Sequence, residues 1–120
     1  MMKLAIQAVT ISVSDMMQSK RFYEDILGFE PDSYYEPTRW QCYHSEGRAY
    51  LGIAEVPNYR HAESSDIINF DVDVDDIEEY WEATKDRVEV EAPLGETPWG
   101  SLKFVIRDPD GNRLGFAARR

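Results

Sequence analysis

The feature that most constrains this chain is a pattern written twice, 61 residues apart. Val9, Ile11 and Val13 alternate with Ala8, Thr10 and Ser12; Phe70, Val72 and Val74 alternate with Asn69, Asp71 and Asp73. Such alternation marks a strand with one face buried. After each run stands the same helix-start signature, Asp15 with Gln18 and Asp76 with Glu79. Ala8 therefore maps onto Asn69, Val13 onto Val74 and Asp15 onto Asp76. Identity between the two copies is thin, so the repeat is one of pattern. Either copy alone is too small to bury a sheet face, and pairing two copies, within a chain or between chains, solves that.

In the first copy the spacing predicts a helix from Asp15 to about Leu27, with Phe22, Tyr23, Ile26 and Leu27 inward and Gly28 as C-cap. Three strands follow, Phe29 to Tyr35, Arg39 to Ser45 and Ala49 to Ala54, with Glu46-Gly47 as a turn. Residues 55–66, EVPNYRHAESSD, are polar and read as a linker between module 1 (about 1–54) and module 2 (about 67–120) of one domain. The second helix runs to about Asp86. Strands are expected near Val88 to Ala92, Leu102 to Arg107 and Arg113 to Ala118. Asp108-Pro109-Asp110-Gly111 is a strong turn, since proline suits its second position and glycine accepts positive φ.

Thirteen Lys and Arg against 23 Asp and Glu leave a net charge of −10, which repels phosphate backbones and argues against a nucleic-acid partner. The same charge attracts cationic ligands, or only keeps the chain soluble. No apolar run reaches the roughly 20 residues of a membrane helix, and the first residues lack the pattern of a signal peptide. The single cysteine, Cys42, excludes an internal disulfide and fits a reducing compartment, so the expected location is cytoplasmic.

Three segments, VTISVSDMMQSKRFYEDILGFEPD, INFDVDVDDIEEYWEAT and PWGSLKFVIRDPDGNRLGF, give the chain its resemblance to a known family. It resembles the vicinal oxygen chelate superfamily of glyoxalase I, bleomycin-resistance proteins and extradiol dioxygenases. The resemblance implies an α+β fold, two βαβββ modules forming a curved, half-open barrel around a cavity, and usually a homodimer. Side chains alternate faces along a strand, so Ala8, Thr10, Ser12, Tyr50, Gly52, Ala54, Asn69, Asp71, Asp73, Arg113, Gly115 and Ala117 face the cavity. The metal ligands of the superfamily map onto Ala8, Gly52, Asn69 and Gly115. Only Asn69 carries a donor there, so the expectation is no metal and no cofactor. His44 and His61 map onto none of the four and read as surface or packing residues.

The second half is most similar to the bleomycin-resistance group, whose PWG appears as Pro98-Trp99-Gly100. The resemblance implies that Trp99 stacks on a flat ligand, against an alternative in which it only lids the barrel end. The group's second stacking aromatic falls at Ser33; Tyr34 or Tyr35 can substitute, though a shift of one residue reverses facing. Asp71 and Asp73 would offer carboxylates to an amine or guanidinium, with Arg113 near enough to neutralise one. Trp40 reads as cavity wall or dimer contact, and Trp81 as core. The candidate ligand-binding residues are thus Trp99, Asp71, Asn69, Tyr50, Trp40 and Tyr34. No nucleophile elbow or phosphate loop is present, and Cys42 and His44 on one strand do not meet well, so no catalytic residue is assigned. The expected function is metal-independent sequestration of a cationic or aromatic small molecule in a dimer-interface groove. The alternative is a glyoxalase-like lyase, isomerase or dioxygenase with ligands from positions such as His44, Asp71 and Asp73. A module with a vestigial cavity is the third reading.

Overall fold

The computed structural model describes residues 2–47, 49–62 and 65–119. It divides into two compact units, Met1–Arg60 and His61–Arg120. The first unit runs β1 (Ala8–Val13), α1 (Met16–Lys20) with a π-helical continuation (Arg21–Ile26), β2 (Pro31–Tyr35), β3 (Trp40–Tyr43) and β4 (Tyr50–Glu55). Its sheet has the order β1-β4-β3-β2, with β1 and β4 parallel and the other neighbours antiparallel. The second unit runs β5 (Ile68–Asp71), α2 (Ile77–Thr84), β6 (Glu89–Glu96), β7 (Ser101–Arg107) and β8 (Arg113–Arg119). Its order is β5-β8-β7-β6, with β5 and β8 parallel. Both units are therefore βαβββ with the same strand order, the α+β architecture expected from the repeat. Neither sheet closes on itself.

Helices cover one face of each sheet. In the first unit Ile11, Val13, Phe22, Tyr23, Leu27, Tyr43, Leu51 and Ile53 are buried. Asp15 caps α1 as expected, its Oδ1 accepting the Gln18 N–H at 3.0 Å. The helix then loosens: the Leu27 N–H donates to the Phe22 carbonyl, five residues back, and Gly28 at φ 82° reverses the chain. Tyr23 stacks on Tyr43 at 6.2 Å, and the Tyr43 hydroxyl donates to Glu24 at 2.8 Å. Burial, and then that carboxylate, push the Tyr43 phenol well above its ordinary range. In the second unit Ile77, Phe104, Ile106, Leu114 and Phe116 are buried. Phe104 stacks on Phe116 at 5.1 Å and meets half-buried Trp81 at 5.0 Å.

The two copies part at the start of the second helix. β5 ends at Asp71 instead of running to Val74. Asp73 leaves the strand and forms a turn, its Oδ1 accepting the Asp75 N–H at 2.9 Å. The Asp76 side chain makes no capping bond, and Val74, expected under the helix, is 43% exposed. Asp73 thus serves the backbone rather than the cavity face. Val9, near the free end of an edge strand, is also partly exposed.

The Asp108 turn forms as its sequence dictates. Oδ1 of buried Asp108 accepts the N–H groups of Asp110 (2.9 Å) and Asn112 (2.8 Å), and Oδ2 accepts Asn112 Nδ2 at 2.8 Å. The His61 N–H donates to the Asp110 carbonyl, so this linker residue docks on the turn. Glu55, the first residue assigned to the linker, closes β4; Glu63 and Ser64 lie outside the described residues. Among the described residues no helix is long and apolar enough to cross a membrane.

Phe104 is fully buried among Phe116, Tyr80 and Trp81. Phe104→Ala is expected to cost about 3–5 kcal/mol, read as a lowered midpoint in urea unfolding with an unchanged slope.

Candidate functional site

The open face of the first sheet is built around Gly52. Thr10, Gly52 and Cys42 share one row across β1, β4 and β3; Ser12, Ala54 and Trp40 share the next. Residues in register point to the same side. The Trp40 indole leans diagonally over Gly52, and its Nε1–H donates to Thr10 Oγ1 at 3.1 Å. A Cβ at residue 52 would stand 2.6 Å from indole Cε2 and nearer still to Nε1. Glycine is what lets the ring lie there. Tyr50 faces Ala8 in register and is 6.2 Å from the His44 ring. His44 lies beyond the end of β3, its Nε2 3.6 Å from Asp32.

One sequence assignment changes on this face. Tyr35 pairs with Trp40, whereas Tyr34 pairs with Gln41, on the helix side, because the register shifts between Pro31 and Tyr34. Cys42 is buried, and burial, helped by the Asp32 charge, raises its thiol pKa. A thiol held protonated is a poor nucleophile.

The open face of the second sheet is built around Gly115. Asn69, Gly115 and Val105 form one row across β5, β8 and β7; Asp71, Ala117 and Lys103 form the next. A Cβ at residue 115 would collide with Asn69 Oδ1, stand 2.9 Å from Lys103 Cε and 3.2 Å from Ile67 Cδ1. The carboxamide and the lysine stem therefore converge above the glycine. Arg113 does not neutralise Asp71. A bulge at Glu91 in β6 sets that carboxylate where the Arg113 fork grips it, at 2.9 and 2.6 Å, and Arg107 Nη2 joins at 2.8 Å. The Arg113 bonds hold the Glu91 carboxyl below its ordinary range.

Trp99 occupies the β6–β7 hairpin tip. The Gly100 N–H donates to the Thr97 carbonyl, and Gly100 takes φ 89°. The indole is 72% exposed and makes no ring contact with a described residue.

These placements leave the four mapped ligand positions without a donor set for a divalent ion. Ala8, Gly52 and Gly115 offer no ligand atom, and Asn69 offers one carboxamide. Indole fills the space over Gly52, and carboxamide, lysine stem and Ile67 fill that over Gly115. Among the described residues no group of three or more His, Cys, Asp and Glu could hold a metal. Sequence reasoning passed over Lys103 and Glu91. The parity of Lys103 opposite the apolar set Phe104 and Ile106 was visible; the bulge was not.

Residues 5–116 match the model of the Glyoxalase/Bleomycin resistance protein/Dioxygenase superfamily. No curated protein matches the sequence. Among solved structures, an integron cassette protein from the mobile metagenome of the Halifax Harbour sewage outfall is 25% identical. The match covers 95% of this chain and 97% of that one, with a TM-score of 0.76. A substituted form of the fosfomycin resistance protein FosX from Listeria monocytogenes, complexed with Mn(II) and 1S,2S-dihydroxypropylphosphonic acid, is 18% identical. It covers 100% of this chain and 95% of that one, with a TM-score of 0.81. A glyoxalase/dioxygenase from Nostoc punctiforme is 13% identical, covering 97% and 91% of the two chains, with a TM-score of 0.81. With repeat, strand order and family model in agreement over nearly its whole length, the chain belongs to the glyoxalase/bleomycin resistance protein/dioxygenase superfamily.

Proposed function

We propose that the protein is a metal-independent small-molecule binder, similar to the bleomycin-resistance group, that sequesters a cationic aromatic ligand. The observation that carries this reading is the indole of Trp40 lying over Gly52, hydrogen-bonded to Thr10, where the resemblance puts a metal ligand. An aromatic surface there favours flat apolar matter over ion chemistry. The second unit, taken by itself, offers the exposed indole of Trp99 and, in Asp71, a carboxylate that no described side chain engages. Tyr50 lies on the open face of the first unit and Asn69 on that of the second, and Tyr35 takes the place first given to Tyr34. We take the working form to be a cytoplasmic homodimer. Met2, Leu4 and Ile6 stand 86%, 91% and 67% exposed before β1, an alternating apolar run that a second copy would cover.

Gly52→Ala is expected to expel the indole from its place. The measurable results are a red-shifted tryptophan emission, absent when the same change is made in a Trp40→Phe background, and a melting temperature insensitive to added divalent metal in either protein. A melting point raised several degrees by stoichiometric manganese or zinc in the parent would overturn metal independence.

Binding is checked by calorimetric titration with benzylammonium. Trp99→Ala is expected to weaken it by about 1–2 kcal/mol. Asp71→Asn is expected to weaken it by an amount that shrinks as salt rises. Parent-like affinity in both variants would remove the site from this face.

Light scattering at micromolar concentration is expected to give twice the chain mass, falling toward the monomer when Leu4 and Ile6 are both changed to Ser.

A further inference from the structure

The open face of the second unit holds two opposite charges that the described residues leave uncompensated. Asp71 and Lys103 lie in one row with Ala117 between them. Neither forms an ion pair or side-chain hydrogen bond with a described residue. Their α-carbons stand two strand spacings apart, roughly 10 Å, with a floor of small residues, Ala117 and, one row on, Gly115. The other cations of the neighbouring rows, Arg107 and Arg113, are both gripped by Glu91.

Lys103 is in a central strand, flanked by β6 and β8. A lysine facing out of a central strand usually gains a carboxylate neighbour or extends into water. This one lays its stem across Gly115, Cε 2.9 Å from the point a Cβ would occupy, and the Asn69 carboxamide reaches the same point. The lysine stem, which carries an ammonium one bond further on, and the Asn69 carboxamide, which presents its NH2 in place of Oδ1 on rotating, thus meet over a glycine floor. That combination of donors suits an oxyanion.

We propose that Lys103 and Asn69 form an oxyanion-recognition point, so that the ligand is zwitterionic: its cationic group meets Asp71 and its carboxylate or phosphonate meets Lys103. This deepens the small-molecule-binding reading and rests on it. Asp71 alone would select any cation. The row Asp71–Ala117–Lys103 favours a molecule bearing both charges over one bearing either alone.

The test uses four probes on the purified full chain: benzylammonium, benzoate, phenylphosphonate and 4-(aminomethyl)benzoate. The zwitterion is expected to bind about tenfold more tightly than benzylammonium, as a charge-assisted hydrogen bond to the lysine allows. In Lys103→Met that ratio should collapse to about one, and in Lys103→Arg it should persist. Amide NMR should show benzoate or phenylphosphonate moving the Asn69 side-chain NH2 and the Gly115 N–H; whichever moves them at lower concentration names the oxyanion. Should Lys103→Met fail to fold, Lys103→Gln serves the same comparison. Equal affinity for zwitterion and benzylammonium in the parent would overturn the proposal while leaving the cationic-aromatic reading intact. So would a ratio unchanged in Lys103→Met. Failure of benzylammonium, with benzoate still shifting Asn69 and Gly115, would overturn the cationic-aromatic reading and keep the oxyanion point.

Discussion

Among the described residues each four-stranded sheet has its helix on one face, and the organisation of each unit depends on that asymmetry. Burying one face turns the period of two into an address. In β8, Leu114, Phe116 and Ala118 are buried toward the helix side, while Arg113, Gly115 and Ala117 take the other. Because β8 and β4 are central strands, bonded on both sides, their open-face residues become floors rather than rims. The residues on those floors are Gly52, Ala54, Gly115 and Ala117, all small. What the protein can hold is therefore decided by what leans over them.

A missing Cβ on a central strand leaves a hollow, and protein interiors fill hollows. The two copies of the repeat have done so differently. Over Gly52 lies an indole held by Thr10; over Gly115 meet a carboxamide and a lysine stem. With Tyr35 and Tyr50 added, the first face is aromatic. With Asp71, Lys103 and the Glu91–Arg113 clamp, the second is charged. The repeated fold thus carries two unlike surfaces over the same kind of vacancy.

The sheets were legible because alternation and turn chemistry agree: Val9 to Val13 with Asp15 after them, and a proline and glycine in the Asp108 turn. The end of β5 was not, because Asp73 can continue a strand or fold back on the Asp75 N–H, and only the local hydrogen bond decides. The facing of Tyr34 and Tyr35 turned on a register shift in β2, and Glu91 on a bulge in β6. One extra residue inverts a side chain's face, and no composition or period records it. The glycine positions were readable as vacancies. What fills them depends on the diagonal reach of Trp40 and Lys103, which belongs to tertiary structure.

The net charge of −10 says little about the ligand, because several of the carboxylates behind it are already committed within their own unit. Glu24 is held by Lys20 and Tyr43, Glu55 by Arg39 and the Met16 N–H, Glu91 by two arginines, and Asp108 by its own turn. On the open face of the second unit Asp71 engages no described side chain, with Lys103 across from it. Their α-carbons are two strand spacings apart, with Ala117 between them, and neither charge is paired with a described residue. They form no ion pair with each other, and they share one face of the second unit's sheet. On the proposal above, a bare cation would meet Asp71 alone, and a zwitterion would add a contact to Lys103.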